Sequence, residues 1–148
     1  MTHRILFVCL GNICRSPAAE AVFRDIMPEA QTDSAGTSDW HVGKPPYAPM
    51  QAAARMREID MSDLRARQFS TADFDRFDLI IGMDASNHAE IEALRPADST
   101  TPVRLLTDFA PDSGMDHVPD PYYTRDFDQA LDLIEMGAQG LHRHLRGD

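Results

Sequence analysis

The sequence predicts an α/β fold, a doubly wound four-stranded parallel sheet flanked by helices on both faces. Three observations carry that expectation. Four short runs with strand character, Ile5–Leu10, Thr32–Ala35, Asp78–Gly82 and Val103–Leu106, are spaced along the chain with helical segments between them. The apolar ones do not alternate with polar residues, as befits strands covered on both faces. The length of 148 residues suits one domain with its own core, so residues 1–148 are expected to form a single unit. Strand–helix–strand crossovers are right-handed, and in such sheets ligands bind beyond the carboxyl ends of the strands.

In chain order, Ile5–Leu10 is the first buried strand. Gly11-Asn12-Ile13-Cys14 reads as a turn, and Arg15-Ser16-Pro17 opens a helix, with Pro17 suited to a first turn. That helix continues through Ala18, Ala19, Glu20, Ala21, Val22 and Phe23 and should stop before Pro28. A short strand around Thr32–Ala35 leads into a Gly- and Pro-rich loop carrying Trp40, Gly43, Pro45 and Pro46. Met50–Ile59 reads as helix, and Ser70–Asp73 as the start of a short one. Strand Asp78–Gly82 is followed by a helix from Ser86 to Leu94, then by strand Val103–Leu106. Phe109–Tyr123, with Pro111, Gly114, Pro119 and Pro121, is expected to be a loop. Last, Phe127, Ala130, Leu131, Ile134, Ala138, Leu141 and Leu145 form one face of a long amphipathic helix.

Composition narrows the function classes. The net charge of -10 argues against nucleic acid as the main partner, and carboxylates outnumber arginines from Asp108 onward. An anionic substrate must therefore be held by a local site against the global charge. The two cysteines, Cys9 and Cys14, make neither a disulfide framework nor a zinc spacing, and the six histidines have no ligand-like pattern. No metal and no cofactor is expected. The apolar run before Gly11 is short for a signal peptide, and no stretch approaches the roughly 20 apolar residues of a membrane span. The expected location is the reducing cytoplasm, with no membrane insertion.

The segment from Cys9 to Ser16 carries the chemistry. A strand running into a glycine-containing turn and then a helix presents converging backbone N–H groups to an anion, and the helix start adds about half a positive charge. The spacing is not that of a nucleotide-binding loop; it reads Cys9-x5-Arg15-Ser16. Cys9, at the floor of those donors, is placed to be held as a thiolate and to attack phosphorus. Leu10, Gly11, Asn12, Ile13, Cys14 and Ser16 would surround the phosphate. Arg15 can fork onto two phosphate oxygens, which lysine does poorly. The Ser16 hydroxyl is close enough in sequence to donate to the Cys9 sulfur, and Gly11 allows a positive φ and close backbone approach. Buried cysteines are common by themselves; it is the set Cys9, Gly11, Asn12, Arg15, Ser16 and Pro17 in this context that points to chemistry.

The string Val8-Cys9-Leu10-Gly11-Asn12-Ile13-Cys14-Arg15-Ser16-Pro17 resembles the signature of low-molecular-weight protein tyrosine phosphatases. The likeness continues through Ser34, Asp39-Trp40, Arg67-Gln68, Met83-Asp84-Ala85-Ser86-Asn87 and Asp120-Pro121-Tyr122-Tyr123. It implies hydrolysis of phosphotyrosine and small aryl phosphates through a cysteinyl-phosphate on Cys9, with Asp120 protonating the leaving phenolate and then activating water. An isolated Asp-Pro is only a turn signal, although Pro121 does restrict the backbone of Asp120. The resemblance also sets Trp40, Tyr122 and Tyr123 at the cleft mouth against the phenyl ring. It implies that Ser34 supports Asn12 and that Asp84 helps hold Arg15, the alternative for Asp84 being a helix cap. Where many relatives carry a loop-bracing histidine this chain has Leu64, so the brace is expected to differ, with water as a candidate.

Cys14 is either a small loop residue or the partner in a reversible, redox-sensitive Cys9–Cys14 disulfide. The implied partner is a phosphotyrosine-containing protein, by family analogy a bacterial tyrosine kinase; nothing in the sequence specifies an oligomeric state. Three other readings stay open. A protein-arginine phosphatase would carry threonine where Ile13 stands. An arsenate reductase would need further cysteines. A phosphate-binding adaptor would have no use for a thiol nucleophile.

Overall fold

Parallel strands covered by helices need apolar side chains on both faces, and the first strand supplies them. In the computed structural model, which describes residues 2–147, β1 spans Arg4–Cys9. Ile5, Phe7 and Cys9 point into one core cluster, and Leu6 and Val8 into a second on the opposite face. β1 pairs in parallel with β2 (Gln31–Gly36) on one side and β3 (Leu79–Gly82) on the other, and β4 (Val103–Leu105) completes the sheet in the order β2-β1-β3-β4. Strand order therefore reverses at β1. The carboxyl end of β1, where Cys9 lies, opens at that switch point. Met1 and Asp148, the ends of the expected 1–148 unit, lie outside the described residues.

The described residues form six α-helices, most of which cover the sheet. α1 (Arg15–Ile26), α2 (Ala48–Arg55) and α6 (Phe127–Leu145) contribute to the first core cluster, whereas Phe74 of α3 (Asp73–Arg76) and Ile91 of α4 (Ala85–Ala93) belong to the second. The expected doubly wound architecture is thus what the chain adopts. α6 buries Ala130, Leu131, Ile134, Ala138 and Leu141, the stripe its periodicity predicts. No helix among the described residues is long and apolar enough to cross a membrane.

Three local expectations need correction. The helix expected over Met50–Ile59 ends at Arg55. Glu58 takes a left-handed conformation (φ 63), and its N–H and that of Ile59 bond back to the carbonyls of Arg55 and Ala54, a reversal that closes the helix early. The fourth strand stops at Leu105, because Leu106 begins a 3₁₀ turn that reaches Phe109. The segment expected to be a loop through Tyr123 includes a second 3₁₀ turn, Pro111–Ser113, and ends in the short helix α5 (Pro121–Thr124). Proline at the first helical position and an aspartate before it are what a helix start favours.

Candidate active site

The loop between β1 and α1 is held by a chain of hydrogen bonds whose directions are fixed as far as Ser16. Asn12 Oδ1 accepts from the Arg67 N–H at 3.0 Å, so its Nδ2 faces two serines and donates to Ser16 Oγ (2.8 Å) and Ser34 Oγ (3.0 Å). The Ser16 proton is then free for Cys9 Sγ at 3.0 Å, with the Ala35 carbonyl a longer alternative at 3.4 Å. Ser34 in turn donates to Glu20 Oε1 at 2.7 Å. Asn12 is also the left-handed residue of the loop, at φ 56, a conformation asparagine tolerates. That corrects the expectation for Gly11, which has no positive φ. Space around Gly11 is instead tight, since a Cβ there would stand 3.0 Å from the side-chain atom His41 Cδ2.

α1 begins at Arg15 with no side-chain cap on its first turn, which leaves its N–H groups free to face an anion. The Arg15 side chain is only 3% exposed. Its Nη1 donates to Asp84 Oδ2 and to the Val118 carbonyl, both at 2.8 Å, and its Nη2 to Asp120 Oδ2 at 3.4 Å. Nε is buried without a partner among the described residues, a donor left over after their own acceptors are used. Burial opposes the charge on Arg15, but Cys9, Asp84 and Asp120 outweigh it and hold the guanidinium protonated. The two readings of Asp84 turn out to coexist. One carboxylate oxygen holds Arg15, while the other caps α4 through the Asn87 N–H at 2.8 Å.

Asp120 caps α5 by accepting the Tyr122 N–H at 3.1 Å, which aims its second oxygen at Arg15. It shares a cleft of about 230 Å³ with Cys9, Leu10, Gly11, Ile13, Cys14, Trp40, His41, Tyr122 and Tyr123. The three aromatics are well exposed, Trp40 at 63%, Tyr122 at 42% and Tyr123 at 68%. Tyr122 is steadied by ring contacts with Tyr47 and Tyr123, at 5.2 and 5.3 Å between centroids. Cys9 and Cys14 are both free and buried. Burial, reinforced by the negative charges of Cys9 and Asp120, pushes the Cys14 thiol up and keeps it protonated.

The expected site residues therefore converge, though several partners are not legible from motifs. Leu64 packs against the core as a hydrophobe, and Asn12 is braced by Ser16, by the Arg67 backbone and by Ser34, which is itself bonded to Glu20. His41 and Tyr47 belong to no motif; the sequence marks them only as a histidine beside Trp40 and a tyrosine after a double proline. Tyr47 matters because its N–H donates to the Ile13 carbonyl at 2.8 Å, tying the far wall to the loop. Glu20 had a clearer signal: it is a lone carboxylate among the alanines of a buried helical face.

Comparison with known proteins agrees with this geometry. The profile of the family described as low molecular weight phosphotyrosine protein phosphatase matches residues 4–148. The chain is 43% identical over 143 residues to low molecular weight protein-tyrosine-phosphatase YfkJ of Bacillus subtilis, covering 93% of this chain and 92% of that one. The crystal structure of that protein superposes with a TM-score of 0.94, covering 99% and 96% of the two chains at 40% identity. A structure described as DARP, drosophila arginine phosphatase, gives a TM-score of 0.90 at 30% identity over 97% of this chain and 98% of that one. With the loop, the fold and the match all running through nearly its whole length, this chain belongs to the low molecular weight phosphotyrosine protein phosphatase family.

Proposed function

We propose that residues 1–148 form one phosphatase domain that hydrolyses phosphotyrosine and small aryl phosphates through a cysteinyl-phosphate on Cys9. The observation that carries the reading is the convergence, in one cleft, of Cys9 Sγ and Asp120 beside the buried and unpartnered Nε of Arg15. In the first step the Cys9 thiolate attacks phosphorus and the bond to the phenolic oxygen breaks. Asp120 in its acid form gives that oxygen its proton. In the second step Asp120, now a carboxylate, takes a proton from water as the water oxygen attacks phosphorus, and the thiolate leaves. Arg15 and the loop N–H groups carry the charge on the phosphoryl oxygens throughout. Ser16, bonded to Sγ at 3.0 Å, favours the thiolate as leaving group.

Phosphotyrosine is favoured as substrate because Trp40, Tyr122 and Tyr123 give the cleft aromatic walls against which a phenyl ring can pack. Ile13, which lines the cleft, offers no hydroxyl to a phosphoramidate, and this weighs against the protein-arginine phosphatase reading that the DARP likeness keeps in view. The physiological partner is then a phosphotyrosine-containing protein, with a bacterial tyrosine kinase as the candidate. Two free thiols suit a reducing, cytoplasmic setting. The deciding experiment measures phosphate release from a phosphotyrosine and a phosphoarginine peptide side by side near pH 6, with EDTA and a Cys9→Ser control. Preference for phosphotyrosine, insensitive to EDTA and abolished in the control, is expected. Preference for phosphoarginine would overturn the substrate assignment, and no turnover on either would favour a phosphate-binding adaptor.

A further inference from the structure

One ionisable group close to the loop has no part in the two steps above. Glu20 lies within α1, is only 7% exposed, and is flanked by Ala18, Ala19, Ala21 and Val22. Its hydrogen bond comes from Ser34 Oγ at 2.7 Å. The charges that act on it are Asp33 from β2, Arg24 from its own helix and Asp63 from the segment between α2 and α3. Arg24 is committed elsewhere, to the Asp63 carboxylate and the Asp60 carbonyl. A buried carboxylate with no ion-pair partner is costly to keep. Its place at the end of a directed chain of donors, Ser34 to Glu20 and Asn12 to both serines, gives it a use.

We propose that Glu20, as a carboxylate, is a positioning residue for the Cys9 loop, acting through the relay Ser34–Asn12–Ser16 on the Cys9 sulfur. A carboxylate is a stronger acceptor than a neutral acid, and a hydroxyl that donates to a charge becomes a better acceptor itself. Ionised Glu20 polarises Ser34, Ser34 grips the Asn12 amide, and Asn12 fixes Ser16 so that its proton faces Sγ. Protonated Glu20 leaves the same contacts but weakens each. Burial, with the like charges of Asp33 and Asp63, raises this carboxyl to about 7 against the opposing Ser34 bond and Arg24, so the change of state falls near neutral pH. The proposal rests on the reading of Cys9 as nucleophile and Ser16 as its donor.

The test follows kcat for p-nitrophenyl phosphate from about pH 5.5 to 8.5 in the wild type, Glu20→Gln, Ser34→Ala and the double variant. Titrations of the reacting groups are common to all four and cancel in ratios. Glutamine keeps the shape and the neutral acceptor, so the wild-type to Glu20→Gln ratio should start near one and rise about three- to tenfold through neutral pH, the worth of one hydrogen bond. The wild-type to Ser34→Ala ratio should show the same rise, and the ratio of Ser34→Ala to the double variant should be flat. A flat wild-type to Glu20→Gln ratio would overturn the proposal. So would a rise that persists when Ser34 is alanine, since the charge would then act through space. If Glu20→Gln does not fold, a flat wild-type to Ser34→Ala ratio overturns it instead. A wild type that turns over no aryl phosphate at any pH would remove the proposed function itself, and this role with it.

Discussion

At the scale of single residues, the site is a set of groups with divided duties. Asp120 is held by two contacts that do not consume it: a backbone N–H fixes one oxygen and a 3.4 Å contact with Arg15 steadies the other. If it is the acid, Asp120→Ala should slow turnover of a phosphotyrosine peptide by about 10²- to 10⁴-fold while inorganic phosphate still binds. Near-wild-type kcat would take Asp120 out of the mechanism. Cys14 differs from Cys9 in kind. Its thiol is kept protonated by burial and by the neighbouring negative charges, which keeps it from competing with Cys9 as a nucleophile. We expect peroxide to inactivate the wild type reversibly by thiols and Cys14→Ser irreversibly. Equal recovery of both would show that no Cys9–Cys14 disulfide forms.

At the scale of elements, two helix starts build the site and one helix face supports it. The uncapped start of α1 faces the loop, and the start of α5 is capped by the residue proposed as the acid. α6 secures the region between β4 and α5 from behind. Gly137 and Gly140 let it lie directly on Leu106 and Phe109, and a Cβ at Gly140 would collide with the Phe109 carbonyl oxygen. Backbone cannot yield as a flexible side chain does, so Gly140→Ala should destabilise by about 1–3 kcal/mol or more, despite the better helix propensity of alanine. Thermal or urea unfolding measures this directly, and an unchanged midpoint would mean that α6 shifts at no cost.

For the whole molecule, charge and stability meet at the loop. The net charge of -10 repels an anionic substrate, while buried Arg15 and the α1 dipole set a positive floor inside it. Glu20 links this site to folding. The native state retains its proton up to about pH 7, whereas the unfolded chain releases it near 4.5. The native state thus binds the extra proton between those values, and the stabilising contribution is full below the lower value and lost as pH rises to the upper. Its size is about 3 kcal/mol at most. Glu20→Gln lacks this loss, so its stability relative to wild type should increase between about pH 4.5 and pH 7 and level off above. Denaturant midpoints across that range are the measurement. A constant difference would mean that Glu20 ionises freely in the folded protein. Together with the relay, this describes a carboxylate whose ionisation organises the site at a cost in stability.

The sequence by itself determined the features that contiguous residues encode. β1, the loop after it and the start of α1 follow from one uninterrupted string, since strand, turn and helix start each depend on neighbouring dihedrals and local hydrogen bonds. The α6 stripe was equally legible, because its periodicity is a property of the helix alone. What only the tertiary structure decided lies in groups brought together from far apart. Asp84 and Asp120 reach Arg15 from 69 and 105 residues away, and motif likeness could name them without showing that Asp84 serves Arg15 and α4 at once. The left-handed residue proved to be Asn12 rather than Gly11, because its amide must face Ser16, Ser34 and the Arg67 N–H together. Glu20 stands out in the sequence as a lone carboxylate among alanines, but its partner does not, because only β2 sets Ser34 against it. Such contacts depend on strand register and on how helices settle over the sheet, and no local propensity records either.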